Sequence, residues 1–261
     1  MASVTRKESA ATFEESIDPS WKLLVRIGGM AALLAAALWI VATALVFVTT
    51  PPTSGGAQTL EYIAAHRSLY IFKQVLWLAP LGMTMVMFLA FYPVLERFAR
   101  SLALLSVVLG IAAWGISLAW PTTGEGAPAL VVLSDNYMAT TNPALRAPFV
   151  AAAEGLIATN ATPAAPGILE TISVLVVSLA MLGGGVPRGL AYLGIVTGAL
   201  GVVGEALRSM LGSAYALYGI LLLAWLVAVG WTLLRAARNA TPADANSRPR
   251  AQTASRSPNT P

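Results

Sequence analysis

Long apolar runs alternate with short polar breaks along most of this chain. A helix needs about 20 apolar residues to cross a bilayer core. On that measure the pattern predicts six spans: residues 27–48, 70–95, 101–120, 167–185, 189–207 and 215–234. The breaks carry turn chemistry. "TTPPTSGGAQ" (49–58) holds Pro51, Pro52, Gly55 and Gly56, which interrupt helices. "ERFAR" (96–100) is a tight charged turn, and Pro121 ends the third span. Pro80 lies inside the second span and predicts a kink, because its ring displaces a carbonyl one turn back; Pro93 bends the inner end. The first run exceeds the roughly 7–15 apolar residues of a signal-peptide core, so it reads as a retained helix.

The longest connection is 121–166. Within it, "PALVVLSDNYMA" and "PFVAAAEGLIA" predict two short helices, with Pro128 and Pro148 at first helical positions. In the second, Phe149, Val150, Ala153, Leu156 and Ile157 share one face, as in an interfacial helix or lid. The expected fold class is therefore all-α. It is an integral membrane bundle of six transmembrane helices over 21–236, with a short helical extracytoplasmic lid over 121–166. Residues 1–20 read as a flexible tail. Residues 237–261 read as a disordered one, with too little apolar surface to offset chain entropy.

Composition agrees. The chain is 57% hydrophobic and 11% charged, with mean hydropathy +0.71; soluble domains carry about 25% charged residues. The expected partner is the lipid bilayer, with a membrane-protein partner or a second copy as further candidates. There is no cysteine, which excludes disulfides, thiol catalysis and Cys-based metal sites. His66 is the one histidine, so no multi-His metal site is expected, and no cofactor. The net charge of +4 sits at helix ends and in the tail, which suits anionic headgroups rather than nucleic acid.

Orientation follows from the 16 Lys and Arg residues. With the N-terminus inside, only Arg67, Lys73, Arg146 and Arg208 fall outside. That asymmetry predicts six spans in the cell inner (plasma) membrane with both termini cytoplasmic.

The stretch "GIVTGALGVVGEALRSMLG" (194–212) carries the likeliest site. At about 100° per residue, Gly194, Gly198, Gly201, Glu205 and Arg208 fall on one stripe. Gly194 and Gly198 form a GxxxG, which lets another helix approach closely, so the two charges face the bundle. Glu205 lies roughly 24 Å out from the inner end of its span, and Glu170 roughly 22 Å out in span four, at 1.5 Å per residue. The two acids thus share a level. Arg208 and Lys73 lie nearer the outer surface and can snorkel. If spans two, four and five adjoin, Glu170, Glu205, Arg208 and Lys73 form one polar cluster. It is either an outward-facing pocket or ion path, as intramembrane charges often mark, or an ion-pair staple with Glu205 and Arg208 paired on one turn.

Other features carry less. His66 and Arg67 suit a headgroup contact, and Glu61, Asp135, Arg146 and Glu154 suit solvated faces or lid contacts. "RSLALLSVVLG" (100–110) and "RGLAYLGIVTG" (188–198) match at six positions in register. Spans two-three and four-five are then either parallel repeats or a coincidence of a small residue alphabet. No nucleophile elbow, zinc-protease motif, P-loop or dinucleotide fingerprint is present, so no catalytic residue is expected.

"LAWPTTGEGAPALVVLSDNYMATT" (118–141), "AAAEGLIATN" (151–160), "AYLGIVTGALGVVGEALR" (191–208) and "YGILLLAWLVAVGWTLLR" (218–235) resemble uncharacterised multi-pass membrane proteins of actinobacteria, of the kind grouped as the domain of unknown function DUF4386. The resemblance implies a small bacterial inner-membrane protein and transfers no activity. Three readings of function stay open: a non-enzymatic assembly, regulatory or stress-associated component; a small transporter or ligand-binding protein; and a lipid-modifying enzyme, motivated by a lid above carboxylates.

Overall fold

The computed structural model describes residues 18–49, 55–120, 122–123, 125–161, 165–183 and 185–239. The expected tails, up to 17 and from 240, lie outside the described residues, as do Pro51, Pro52 and Pro121. The described residues form an all-helical fold. Helix α1 spans Lys22–Val48, α2 Gly56–Ala65, α3 Arg67–Ala119, α4 Ala129–Ala139, α5 Pro143–Ala161, α6 Ala165–Gly183 and α7 Arg188–Ala206. A short α8, Arg208–Leu211, leads through a 3-10 turn into α9, Ala216–Asn239.

Five helical stretches are long and apolar enough to cross a membrane: α1, α3, α6, α7 and the run Arg208–Asn239. Their outward faces carry large apolar side chains such as Leu34, Leu104, Val108, Val196 and Ile220, each at least 48% exposed. Apolar exposure on that scale suits lipid, not water.

Helix α3 is the unusual element. Its 53 residues would reach about 80 Å if straight, more than twice the thickness of a bilayer core. It is not straight. Ala99 has non-helical torsions (φ −151°, ψ 65°), inside the charged turn expected at 96–100. The halves fold back on each other, so that the Phe88 ring packs against Gly110 and Met85 reaches Gly115. One continuous assignment therefore covers a helical hairpin. Pro80 and Pro93 both lie within its first half.

Glycines set the spacing of the bundle. A Cβ on Gly29 would stand 3.0 Å from the Gly230 carbonyl oxygen, so α1 and α9 touch backbone to backbone. Gly28 packs on the Ala90 methyl group, joining α1 to α3. On α7, a Cβ on Gly198 would lie 2.7 Å from the Leu175 backbone nitrogen; Gly194 meets Ser178 and Trp225, and Gly201 meets Thr171 and Tyr218. The glycine stripe thus faces α6 and α9. Aromatic rings fill the spaces between: Trp39 on Trp114 at 5.7 Å and Phe91 on Trp225 at 6.4 Å between centroids. The Trp39 indole N–H donates to the Trp77 carbonyl at 3.2 Å.

A second, smaller core lies apart from the bundle. Leu60 and Ile63 of α2, Leu130 and Tyr137 of α4, Ala153 of α5 and Tyr70 of α3 bury one another. This cap differs from the expected lid in two ways. Helix α2 forms where the reading gave only a break and a polar loop. Its apolar positions Leu60 and Ile63 are three apart and need α4 to cover them. Helix α5 runs through Pro148 instead of beginning there, because Pro143 already opens the helix. Helix α9 also continues to Asn239, so the first residues of the expected C-tail are helical.

The packing at α7 sets a stability contrast. Gly198→Ala must push the Leu175 backbone away and is expected to cost about 1–3 kcal/mol. Gly219 on α9 has nothing within 4 Å of an added Cβ, so Gly219→Ala is expected to be neutral or slightly stabilising. Thermal unfolding in detergent compares the two.

Candidate functional site

Two polar clusters lie toward the cap end of the molecule, and they divide the four residues expected to meet. The first forms where α6, α7 and α9 meet. Glu205 is the penultimate residue of α7, 4% exposed, on the stripe that continues from the glycines. The Tyr215 hydroxyl donates to its Oε1. Arg208, one turn on, approaches Oε2 at 3.7 Å and lies over the Tyr215 ring at 5.0 Å from the centroid. Gly167, in the first turn of α6, rests directly on the carboxylate: a Cβ there would stand 2.6 Å from Glu205 Cδ. The glycine is what lets the start of α6 approach the acid, where the positive end of the helix dipole favours it. Glu170, one turn further along α6, is partly buried. Ser117 from the end of α3 lies within its hydrogen-bonding reach, and Glu205, Arg208 and Tyr218 act on it electrostatically. Glu170, Glu205 and Arg208 therefore do share one neighbourhood.

Lys73 does not join them. Its ammonium group pairs with Glu125 Oε1 at 2.6 Å, and both side chains are 2% exposed. It also donates to the Thr49 carbonyl at the end of α1. The cause is position: the first half of α3 continues past the bundle into the cap, and Lys73 sits on that extension. The acid it meets follows the second half of α3. There Thr123 and Gly126 close a tight turn through paired backbone hydrogen bonds of 2.7 and 3.1 Å, with Gly126 at φ +123°. The Tyr70 hydroxyl donates to the Ala127 carbonyl at 3.1 Å, and the Thr123 hydroxyl donates to Gln74 Oε1 at 3.2 Å. The pair is buried but under-compensated. Among the described residues, Glu125 Oε2 and Gln74 Nε2 are buried with no hydrogen-bond partner.

Sequence reasoning missed Glu125, Tyr215, Tyr70 and Gln74. Glu125 had a signal: an acid flanked by Gly124 and Gly126 just after span three, near the one lysine at the outer start of span two. The four peripheral charges are contacts within the cap. Glu61 accepts from Tyr137 at 3.1 Å, Asp135 pairs with Arg67, Arg146 lies over the Tyr137 ring at 4.8 Å, and Glu154 accepts from the Gly56 N–H at 3.5 Å. His66 joins α2 to α3 and stacks on Tyr62 at 4.5 Å between centroids. A cleft of about 480 Å3 between α4 and α5 is lined by Tyr137, Arg146, Val150 and Glu154. Among the described residues no group of three or more His, Asp or Glu side chains is placed to hold a metal.

The chain matches no protein-family model, no curated protein and no solved structure.

Burial pushes the Glu125 carboxyl above its ordinary value of 4.5, against the opposing pull of Lys73; Tyr62 and Tyr70 are the other titratable groups facing it. An acid whose folded value is raised contributes stability that is complete below its ordinary value and is lost as pH rises through the raised one. Protection of the Glu125 turn in hydrogen exchange, corrected for intrinsic rate, should therefore fall as pH rises above 4.5. Glu125→Gln should remove that dependence.

Proposed function

We propose that this chain is a six-span inner-membrane protein with both termini cytoplasmic, and that it acts without catalysis, as an assembly or regulatory component presenting the helical cap outside. Three considerations support the topology. The two halves of α3 count as separate crossings on length alone. Together with α1, α6, α7 and α9 they give an even number. The excess of Lys and Arg then falls on the side of the termini.

The observation that carries the non-catalytic reading is Gly167 seated on the Glu205 carboxylate. A carboxylate covered by backbone on one side, donated to by Tyr215 and faced by Arg208 suits a staple between helices. The staple joins α6, α7 and α9 at their outer ends, where water lowers the cost of the charges.

A second reading has its own support. Glu170 faces the same cluster without an arginine of its own. A second acid beside the Glu205–Arg208 pair suits a small ligand-binding or transport site around Glu170 and Glu205, open to the outside.

Variants separate the two. On the staple reading, Glu205→Gln lowers the unfolding temperature, and adding Arg208→Met recovers part of the loss, because an unpaired guanidinium no longer remains. The expected single-variant cost is about 1–3 kcal/mol. On the site reading, Glu170→Gln and Glu205→Gln keep wild-type stability and abolish a ligand-induced thermal shift. Reporter fusions at the two ends test the topology: activity on opposite sides of the membrane would rule out six spans.

A further inference from the structure

The cap helices α2, α4 and α5 bury their apolar faces against one another, and α3 contributes Tyr70 to that core. The helical continuity of α3, the exposed Arg67–Asp135 pair and the polar contacts of the Glu125 turn with Lys73, Tyr70 and Gln74 fasten this unit to α3 and so to the bundle. The last of these is built from buried charge. Taking both charges out of water costs several kcal/mol per ion, and their attraction repays it only where every remaining donor and acceptor is satisfied. Here they are not satisfied, since Glu125 Oε2 and Gln74 Nε2 have no partner among the described residues. An apolar pair of the same volume would close this contact more firmly. The chain instead places a lysine and a glutamate where solvation favours separation as soon as water enters.

We propose that Lys73 and Glu125 form a release latch, which seats the Glu125 turn on α3 when dry and lets the outer cap swing away from the bundle when wetted. Opening parts Nζ from Oε1, breaks the Tyr70–Ala127 and Thr123–Gln74 hydrogen bonds, and leaves together Leu60, Ile63, Leu130, Tyr137 and Ala153, the part of the core that the cap helices make among themselves. Helix α3 keeps the two parts joined. The motion takes its biological sense from the proposed outer position of the cap, but the latch is a property of the packing and is testable without it.

The absence of cysteine makes the test direct. Ala127 is 4% exposed beside the latch, and Ala180 is 1% exposed in the bundle core. Ala127→Cys and Ala180→Cys each give the full chain one thiol. In nanodiscs both faces are open to a water-soluble maleimide, so the result does not depend on topology; a cap on the wrong side would show only in the reporter fusions. Ala127→Cys should label at a measurable rate while Ala180→Cys stays protected. Lys73→Met/Glu125→Leu, which removes both charges and leaves an apolar pair in their place, should slow labelling at position 127 about tenfold. Equal or faster labelling in the apolar double variant overturns the proposal. So does labelling at 127 and 180 that rises together in any variant, since cap and bundle would then open as one unit.

Discussion

Close backbone contact between helices holds this molecule in shape. Lipid is as apolar as leucine, so apolar side chains gain little by leaving it, and helices associate through short-range packing. Glycine supplies that packing at the junctions that matter. Gly29 against Gly230 joins α1 to α9, Gly28 against Ala90 joins α1 to α3, and Gly198 against Leu175 joins α7 to α6. Ring contacts such as Trp39 on Trp114 fill what the glycines leave. The geometry of the polar groups depends on this spacing. Gly167 can rest on Glu205 only because the stripe on α7 has already drawn α6 to within backbone distance.

The polar residues follow one physical rule in two settings. Where helices meet at the cap end of the bundle, Glu205 is answered from its own segment by Arg208 and Tyr215. Beneath the cap, Lys73 is answered by Glu125 from a turn some fifty residues on. Buried charges are tolerated when paired, and each pairing here spans a junction between elements. The first pairing is covered by backbone on one side. Each leaves a buried carboxylate oxygen without a hydrogen bond among the described residues, Glu205 Oε2 in the first and Glu125 Oε2 in the second.

Much of this was legible from periodicity and punctuation. The apolar runs located α1, α6, α7 and α9 to within a few residues, and the turn at 96–100 fell where Ala99 departs from helix. The inward face of the glycine stripe followed from helical spacing alone, because position on a helix fixes direction. What sequence could not supply was adjacency. Lys73 and Glu125 belong to different helical segments, and nothing in their spacing says that α3 extends beyond the bundle to bring them together. Helix α2 was hidden for a similar reason. Ten residues with two buried apolar side chains make a helix only when α4 and α5 cover them.

The contact between Gly29 and Gly230 has a consequence for how the chain is made. The helices it joins are separated by most of the sequence, so α1 enters the bilayer long before its partner exists. Its small-residue face must wait, shielded by lipid or by whatever else is at hand, while the intervening segments are synthesised. Contacts this distant in sequence form late, since a long loop must close first. The ring of helices is therefore sealed by the last of them to arrive, and a chain halted before α9 would hold an open seam.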